Sequence, residues 1–207
     1  MTEKEKMIAG QLYDPSDGEL TSLRVKARKL ARRYNLTDED EREKQDEILR
    51  ELLPNSEEIP GLQAPVYFDY GWNTYFGKYS GANFNFTCLD VCPVHIGDHV
   101  LIGPNVTIAT PMHPLLPEER NCRQREDGSL YNLEYAKPVT IENDCWLAAN
   151  VIVCGGVTIG EGSMIGAGSV VTRDILPHSL AVGNPCRVIR EITERDRMEG
   201  FPQIDKD

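Results

Sequence analysis

The chain has 207 residues, 40% hydrophobic and 27% charged, which is ordinary for a globular protein with one sizeable core. Its formal charge of −11 excludes nucleic acid as an expected partner, since binding nucleic acid depends on neutralising phosphates. No apolar run is long enough for a transmembrane helix, and the N-terminus lacks the apolar segment of a secretory signal. We therefore expect a cytoplasmic protein that binds no membrane, with six free cysteine thiols.

Residues 1–56 have helical patterning and predict a small helical cap. Thr2 and Glu5 form a capping-box sequence for a first helix, and the segment DPSDG at residues 14–18 predicts a turn. A second helix is indicated by apolar residues that return every three or four positions: Leu20, Leu23, Ala27, Leu30 and Tyr34. A third helix is predicted after Thr37 and ends at Pro54, with these residues on its apolar face: Ile48, Leu49, Leu52 and Leu53.

From residue 57 onward, a branched or apolar residue returns every sixth position, often followed by a small residue. The longest run in this frame is Ile141, Leu147, Val153, Ile159, Ile165 and Val171. An earlier run contains Ile96, Ile102 and Ile108, preceded by Phe76, Ala82 and Cys88 with a two-residue slip before Ile96. A period of six fits neither a helix nor a half-buried strand, but it fits a short extended stretch followed by a tight corner. Three such units form a triangular coil of about 18 residues in a solenoid.

The pattern therefore predicts a mainly β fold, a parallel β-helix over residues 57–190. The frame breaks between Ile108 and Ile141, which predicts a protruding loop at about residues 110–136. Residues 191–207 predict a polar tail with a short helix.

Three long segments carry a more specific signal: NFNFTCLDVCPVHIGDHVLIGPNVTIATPMHP, KPVTIENDCWLAANVIVCGGVTIG and GAGSVVTRDILPHSLAVGNPCRVIR. Two segments of the helical cap add to it: MIAGQLYDP and RVKARKLARRYN. Together they resemble the maltose and galactoside O-acetyltransferases of the hexapeptide-repeat acyltransferases, over about residues 5–193. The resemblance implies a left-handed β-helix and a homotrimer with active sites between neighbouring subunits. It also implies acetyl transfer from acetyl-CoA to a sugar hydroxyl, with no metal required.

Attack of an alcohol on a thioester needs a general base, and imidazole is suited to this at neutral pH. His113 lies at the start of the predicted loop, in TPMHPLLPEERN; taken alone it could equally be a surface histidine. The resemblance implies that His113 is the catalytic base and that transfer is direct, through a ternary complex. His95 and His99 are expected to be solvated. With His113 they could instead hold zinc, as in hexapeptide carbonic anhydrases, but the spacing of that family is missing.

The resemblance also assigns residues to the acceptor. Asn83 is the firmest and is grouped with His113 as catalytic; the substrate-binding positions are Asp69, Asp90, Trp146, Asp14, Asp17 and Arg24. A structural role for Trp146 and a turn role for Asp14 are the alternatives. In the galactoside enzymes a second acid follows the position of Asp90, whereas this chain has Val91. This departure favours glucose, maltose or a related sugar, acetylated at its 6-OH.

Coenzyme A carries a pyrophosphate and a 3′-phosphate, which bind arginine, lysine or free backbone N–H groups. The positions that the family uses for the cofactor are Ala149, Ala167, Thr172, Arg173, Arg187 and Arg190. The N–H near Ala149 would stabilise the oxyanion of the collapsing thioester. A solvated corner position is the alternative for Arg187.

Two other functions stay open from the residues. One is acetylation of a non-sugar acceptor, such as an antibiotic or serine. The other is a non-enzymatic β-helix that serves as a binding module. The helical cap favours sugars, and the histidine-bearing loop together with the C-terminal arginines favours an enzyme.

Overall fold

The computed structural model describes residues 1–200. The cap comprises three helices: α1 Glu3–Ile8, α2 Gly18–Asn35 and α3 Arg42–Leu52. The predicted capping box at Thr2 and Glu5 is confirmed, with both of its hydrogen bonds present. None of the helices within residues 1–200 has an apolar stretch long enough to span a bilayer.

Helix α3 begins at Arg42 and not directly after Thr37. The hydroxyl of Thr37 donates to the carbonyl of Arg33 at 2.8 Å, so this residue closes the end of α2. A tight turn follows, in which the N–H of Glu41 donates to the carbonyl of Asp38 at 3.1 Å. The predicted apolar faces are nonetheless buried against the first coils, apart from Leu23, which is partly buried.

The β-helix contains short strands separated by corners. In chain order they are β1 Gly61–Leu62, β2 Val66–Phe68, β3 Thr74–Phe76, β4 Gly81–Ala82, β5 Phe86–Leu89, β6 Val94–Ile96, β7 Leu101–Ile102, β8 Thr107–Ala109, β9 Pro111–Met112, β10 Arg123–Gln124, β11 Leu130–Tyr131, β12 Tyr135–Ala136, β13 Val139–Ile141, β14 Trp146–Leu147, β15 Ile152–Cys154, β16 Thr158–Ile159, β17 Met164–Ile165, β18 Val170–Val171, β19 Ser179–Val182 and β20 Arg187–Glu191. All of them except β9–β12 and β20 build a solenoid of about six turns.

Strands of successive coils stack in parallel and form the three faces of a prism. The first face contains β1, β4, β7, β14, β17 and β19, the second β2, β5, β8, β15 and β18, and the third β3, β6, β13 and β16. The residues of the predicted six-residue frame point inward: Ile96, Ile102, Ile108, Ile141, Leu147, Val153, Ile159, Ile165 and Val171 are all buried. The period therefore reflects one apolar residue per face and per turn. Strand β20 turns back and pairs antiparallel with β19 at the C-terminal end.

The coil length changes along the chain, and the change is confined to one corner. Ile141 pairs with Ile159, 18 positions later, whereas Phe76 pairs with Ile96, 20 positions later. The additional residues lie between the second and third faces, at residues 69–73 and 90–93. We call this edge of the prism the second corner. The additional residues at this corner explain the two-residue slip before Ile96.

The predicted loop leaves the prism at the same second corner, one coil further along. It starts with β9 and returns with β12, and these two strands pair antiparallel. Between them lie a short helix, α4 Pro117–Arg120, and the β10–β11 hairpin. Strand β20 extends one residue into the predicted tail, and a 3₁₀ turn covers Glu194–Asp196. Residues 201–207 of the tail lie outside the described residues.

Candidate active site

A cavity of about 380 Å³ opens at the second corner. The helical cap, the first two coils and the loop each supply part of its wall. Its lining residues are Tyr13, Pro15, Ser16, Arg24, Arg28, Asp69, Tyr70, Val91, Pro111, His113 and Glu134. Three separate parts of the chain therefore meet around His113, at the one corner where the repeat departs from its period.

His113 follows β9 directly, and its side chain is 46% exposed toward this cavity. Its Nδ1 lies 3.4 Å from the carbonyl oxygen of Leu133. Because a carbonyl oxygen can only accept, this contact favours the tautomer with hydrogen on Nδ1. Nε2 then carries the lone pair, and it lies 3.8 Å from Oε1 of Glu134. The arrangement leaves Nε2 able to take a proton.

Glu134 is held by the helical cap. The hydroxyl of Tyr13 donates to Oε2 of Glu134 at 2.8 Å, and the backbones of the two residues exchange N–H···O bonds of 2.9 and 3.1 Å. Burial, reinforced by the Glu134 carboxylate, raises the pKa of Tyr13, so its hydroxyl stays protonated and remains a donor. Residue patterns did not point to this pair, because its members lie 121 positions apart.

Asp90 lies beneath the cavity and is fully buried. One carboxylate oxygen accepts from the N–H of Tyr70 at 2.8 Å, and the other from the hydroxyl of Thr74 at 3.0 Å. Burial raises the pKa of Asp90 to about 6. Asp90 therefore does not line the cavity in one chain, and its carboxylate supports the backbone of Tyr70 in the wall. Its expected contact with the acceptor stays a prediction.

Arg24 and Asp69, both predicted to contact the acceptor, do line the cavity. Nη1 of Arg24 donates to the hydroxyl of Tyr70 at 3.1 Å, and Nη2 of Arg28 donates to Oδ1 of Asp69 at 2.6 Å. Arg28 was not predicted. It lies one helical turn after Arg24 on α2, and this spacing is the sequence signal that could have identified it.

Asp14 and Asp17 do not line the cavity, although both were predicted to bind the acceptor. Asp17 is the N-cap of α2 and accepts from the N–H groups of Glu19 and Leu20 at 2.9 and 3.2 Å. Asp14 forms an ion pair with Arg125 of the loop. The two carboxylates are thus occupied in shaping the cap and in holding the loop against it.

Asn83 and Trp146 lie together elsewhere, along the first face. They line a cavity of about 710 Å³, whose wall also contains the exposed side chains of Tyr79 and Leu101. The structure of one chain therefore does not bring Asn83 to His113. Trp146 is 50% exposed on β14.

The residues predicted to bind the cofactor are spread over the later coils. Ala149 follows β14, and within residues 1–200 its N–H makes no backbone hydrogen bond. Gly103 approaches it so closely that an added Cβ would lie 2.9 Å from the nitrogen of Ala149. The other predicted positions are exposed: Ala167, Thr172, Arg173, Arg187 and Arg190. Arg190 is engaged by Asp196, with contacts of 2.6 and 2.8 Å.

The other two histidines considered for zinc lie on aromatic rings. His95 stacks on Tyr75 with ring centres 4.5 Å apart, and His99 stacks on Tyr79 at 5.1 Å. Both are exposed, as predicted. Residues 1–200 contain no group of three histidine, cysteine, aspartate or glutamate side chains arranged to hold a metal ion.

Comparison with known proteins agrees with this architecture. A family profile described as "Maltose acetyltransferase hexapeptide capping motif" matches residues 6–56, and one described as "Bacterial transferase hexapeptide (six repeats)" matches residues 138–173. The chain is 40% identical to a galactoside O-acetyltransferase of Escherichia coli over 197 residues, covering 95% of this chain and 93% of the relative. The chain belongs to the maltose and galactoside O-acetyltransferases. It is an enzyme of the O-acetyltransferase class.

Two solved structures of this family match nearly the whole chain. A maltose O-acetyltransferase from Clostridium difficile is 43% identical, with a TM-score of 0.85 over 94% of this chain and 99% of its own. A galactoside acetyltransferase in complex with coenzyme A is 37% identical, with a TM-score of 0.86 over 98% of this chain and 96% of its own. The expected fold, a left-handed β-helix of hexapeptide repeats, is thereby confirmed.

Proposed function

We propose that this chain transfers acetyl from acetyl-CoA to a hydroxyl of glucose, maltose or a related sugar, with His113 as general base. The observation that carries the proposal is the position of the imidazole: Nδ1 faces a carbonyl, while Nε2 faces a cavity lined by Arg24, Asp69 and Glu134. Such paired donors and acceptors suit sugar hydroxyls. Acetyl-CoA as the donor is supported by the coenzyme A bound to a relative of the same fold.

In the proposed reaction, Nε2 of His113 takes the proton of the acceptor hydroxyl as its oxygen attacks the thioester carbon. The carbonyl electrons move to oxygen, and the N–H of Ala149 stabilises that oxyanion. The intermediate collapses, the C–S bond breaks, and the imidazolium returns the proton to the leaving thiolate. The Glu134 carboxylate stabilises the imidazolium while it exists.

The site becomes complete in a homotrimer, because one chain holds the two residue sets apart. His113 lies at the second corner, and Asn83, Trp146 and Ala149 lie along or beside the first face. The first face carries large exposed apolar side chains, with Leu101 61% exposed. Such a patch favours association. We infer that the first face of one subunit meets the second corner of the next.

Mixed trimers test this arrangement. His113→Ala and Asn83→Ala chains, each inactive alone, are unfolded together and refolded as mixed trimers. Sites between subunits predict that part of the activity returns, since some sites then combine two intact partners. If mixing restores nothing, while native mass spectrometry with one of the two chains isotope-labelled shows mixed trimers, His113 and Asn83 do not serve one site across an interface.

The acceptor class is tested by release of coenzyme A from acetyl-CoA with glucose, maltose, galactosides, chitin oligomers, serine and chloramphenicol. Sugar-dependent release is expected, and His113→Ala should lose about 10²- to 10⁴-fold in turnover. His95→Ala is the matched control, because His95 is exposed on the third face and lines neither this cavity nor the one that contains Asn83. Release with serine or chloramphenicol alone would overturn the sugar assignment, and near-normal turnover of His113→Ala would overturn the base.

A further inference from the structure

A short stretch of the second corner, residues 89–92, lies between the wall of the candidate active site and the start of the loop that carries His113. We call it the corner segment. Within it, Val91 lines the cavity together with Tyr70. Thr110, three positions before His113, contacts the segment from the following coil. The corner segment therefore connects the wall of the cavity to the proposed base.

Asn73 holds the corner segment from the preceding coil. The residue is 1% exposed, and its amide nitrogen donates to the carbonyl oxygens of Asp90 and Val91 at 3.0 and 2.9 Å. The carbonyl of Asn73 accepts from the N–H of Val94 at 2.9 Å, which ties Asn73 to the strand after the segment. Because one rigid amide binds two consecutive carbonyls, it fixes the course of the backbone at the cavity wall.

Thr110 holds the same segment from the other side. It is fully buried, and its hydroxyl donates to the carbonyl of Leu89 at 2.7 Å and accepts from the N–H of Cys92 at 2.9 Å. Its own N–H also donates to the Leu89 carbonyl, at 3.2 Å. One side chain thus joins both ends of the corner segment, and the backbone that leaves it reaches His113 after two residues.

The start of the loop has little freedom beyond Thr110. The carbonyl of Thr110 accepts from the N–H of Lys137 at 3.2 Å, so the two ends of the loop are joined, and β9 pairs with β12 directly beyond them. Gly155 of the next coil lies against the same carbonyl, since an added Cβ there would be 2.7 Å from the Thr110 oxygen. A displacement of Thr110 would therefore be passed on to His113.

We propose that Asn73 and Thr110 are positioning residues, which set the distance between the acceptor in the cavity and Nε2 of His113. The inference rests on the proposed function, because it assumes that the acceptor hydroxyl lies between the cavity wall and the imidazole. Neither side chain lines the cavity, so both act through the corner segment. A shift of about 1 Å between reacting groups can cost about 10²-fold in rate.

The test uses substitutions at Thr110. Thr110→Val keeps the shape but removes the hydroxyl, so kcat for sugar acetylation should fall about 10- to 100-fold, with KM for acetyl-CoA constant. The pH dependence of kcat should stay that of wild type, because the base itself is intact. Thr110→Ser keeps the hydroxyl and should remain within about threefold of the wild-type kcat. Each kcat is divided by the folded fraction, measured as coenzyme A binding stoichiometry by titration calorimetry.

Asn73→Ser tests the other side of the segment. Serine offers one donor in place of two, so kcat should fall about tenfold. The double variant with Thr110→Val should lose less than the product of the two single losses, because both residues act through one segment. Independent losses that multiply would contradict this shared role. Should Asn73→Ser fail to fold, the two Thr110 variants decide the inference.

Ser163→Ala is the matched control. Ser163 is 1% exposed, and its hydroxyl likewise donates to a carbonyl, that of Leu176 at 2.9 Å, and accepts from the N–H of Ser179 at 3.1 Å. It joins coils at the corner between the third and first faces. Its loss should lower the urea midpoint of unfolding, as Thr110→Val does, and leave kcat unchanged.

The outcomes separate the inference from the proposed function. Equal losses of kcat in Ser163→Ala and Thr110→Val would assign Thr110 a purely structural role and overturn the inference. Near-normal kcat in folded Thr110→Val, or a Thr110→Ser variant as slow as Thr110→Val, would overturn it as well. If the wild-type enzyme releases no coenzyme A with any sugar, the proposed function fails, and the inference fails with it.

Discussion

Nε2 of His113 lies 3.8 Å from Oε1 of Glu134, and Oε2 of the same carboxylate accepts a hydrogen bond from the Tyr13 hydroxyl at 2.8 Å. The proposed base, the end of the loop and the helical cap are thus joined in one chain of contacts. The carboxylate is placed to stabilise the imidazolium that forms when His113 takes a proton. Tyr13 fixes the carboxylate from the other side, which makes it a positioning residue.

The first prediction concerns this carboxylate. Glu134→Gln keeps the shape of the side chain but removes its charge, so kcat should fall about 10- to 100-fold while KM for acetyl-CoA stays constant. Tyr13→Phe, which removes only the hydrogen bond, should cost about tenfold or less. Steady-state kinetics with both substrates provide the measurement. Glu126→Gln is the matched control, since Glu126 is exposed on the same loop. Equal effects of Glu126→Gln and Glu134→Gln would refute a specific role for Glu134.

The second prediction concerns Asp90, whose pKa is raised to about 6 by burial. A raised pKa means that the folded state holds this proton more tightly than the unfolded state. The contribution of Asp90 to stability is therefore greatest at low pH and declines as pH rises from about 4 to about 6. Asp90→Asn does not titrate. Its free energy of unfolding relative to wild type should rise across this range, by up to about 3 kcal/mol.

Urea unfolding at several pH values between 4.5 and 7 measures this difference. The control is Asp40→Asn, at an exposed aspartate of the helical cap, which should differ from wild type by about the same amount at every pH. A difference for Asp90→Asn that does not vary with pH would show that the buried carboxyl keeps the pKa of an exposed one.

The third prediction concerns the contacts that Arg125 makes between the loop and the helical cap. Arg125 pairs with Asp14, donates to the hydroxyl of Ser16 at 3.0 Å, and lies over the ring of Tyr131 at 4.4 Å. Arg125→Met should free the loop, because it removes the charged contacts and keeps much of the apolar stem. Cleavage of the loop by a glutamate-specific protease should accelerate several-fold. Arg123→Met, on the same loop, is the control. If both variants are cleaved at the wild-type rate, the contacts of Arg125 do not hold the loop against the cap.

The fourth prediction concerns the spacing of the coils. An added Cβ at Gly97 would lie 2.7 Å from the backbone nitrogen of Asn143 in the next coil, whereas one at Gly61 would meet nothing within 4 Å. Gly97→Ala should therefore cost about 1–3 kcal/mol of stability, and Gly61→Ala should change it by less than about 0.5 kcal/mol. Chemical denaturation gives both values. Similar costs for the two variants would mean that close stacking of the coils does not explain the glycine at position 97.

Much of the fold could be predicted from sequence because its signals are local. The six-residue return of apolar side chains follows from one inward residue per face, and the break after Ile108 marks the loop. His113 was identified by its place in that loop and by family resemblance. The burial of Asp90 could not be predicted in this way, because its carboxylate is held by the backbone N–H of Tyr70, 20 positions earlier in the chain.

Local patterns in the amino-acid sequence thus define the helical cap, the triangular coil and the region of the chain that carries the proposed base. These features depend on side-chain periodicity and on caps that act within a few residues. Three contacts are visible only in the folded chain, namely those of Tyr13 with Glu134, of Arg28 with Asp69, and of Asp14 with Arg125. Each of these contacts joins residues 41 or more positions apart, and stacking of the coils and packing of the cap bring them together.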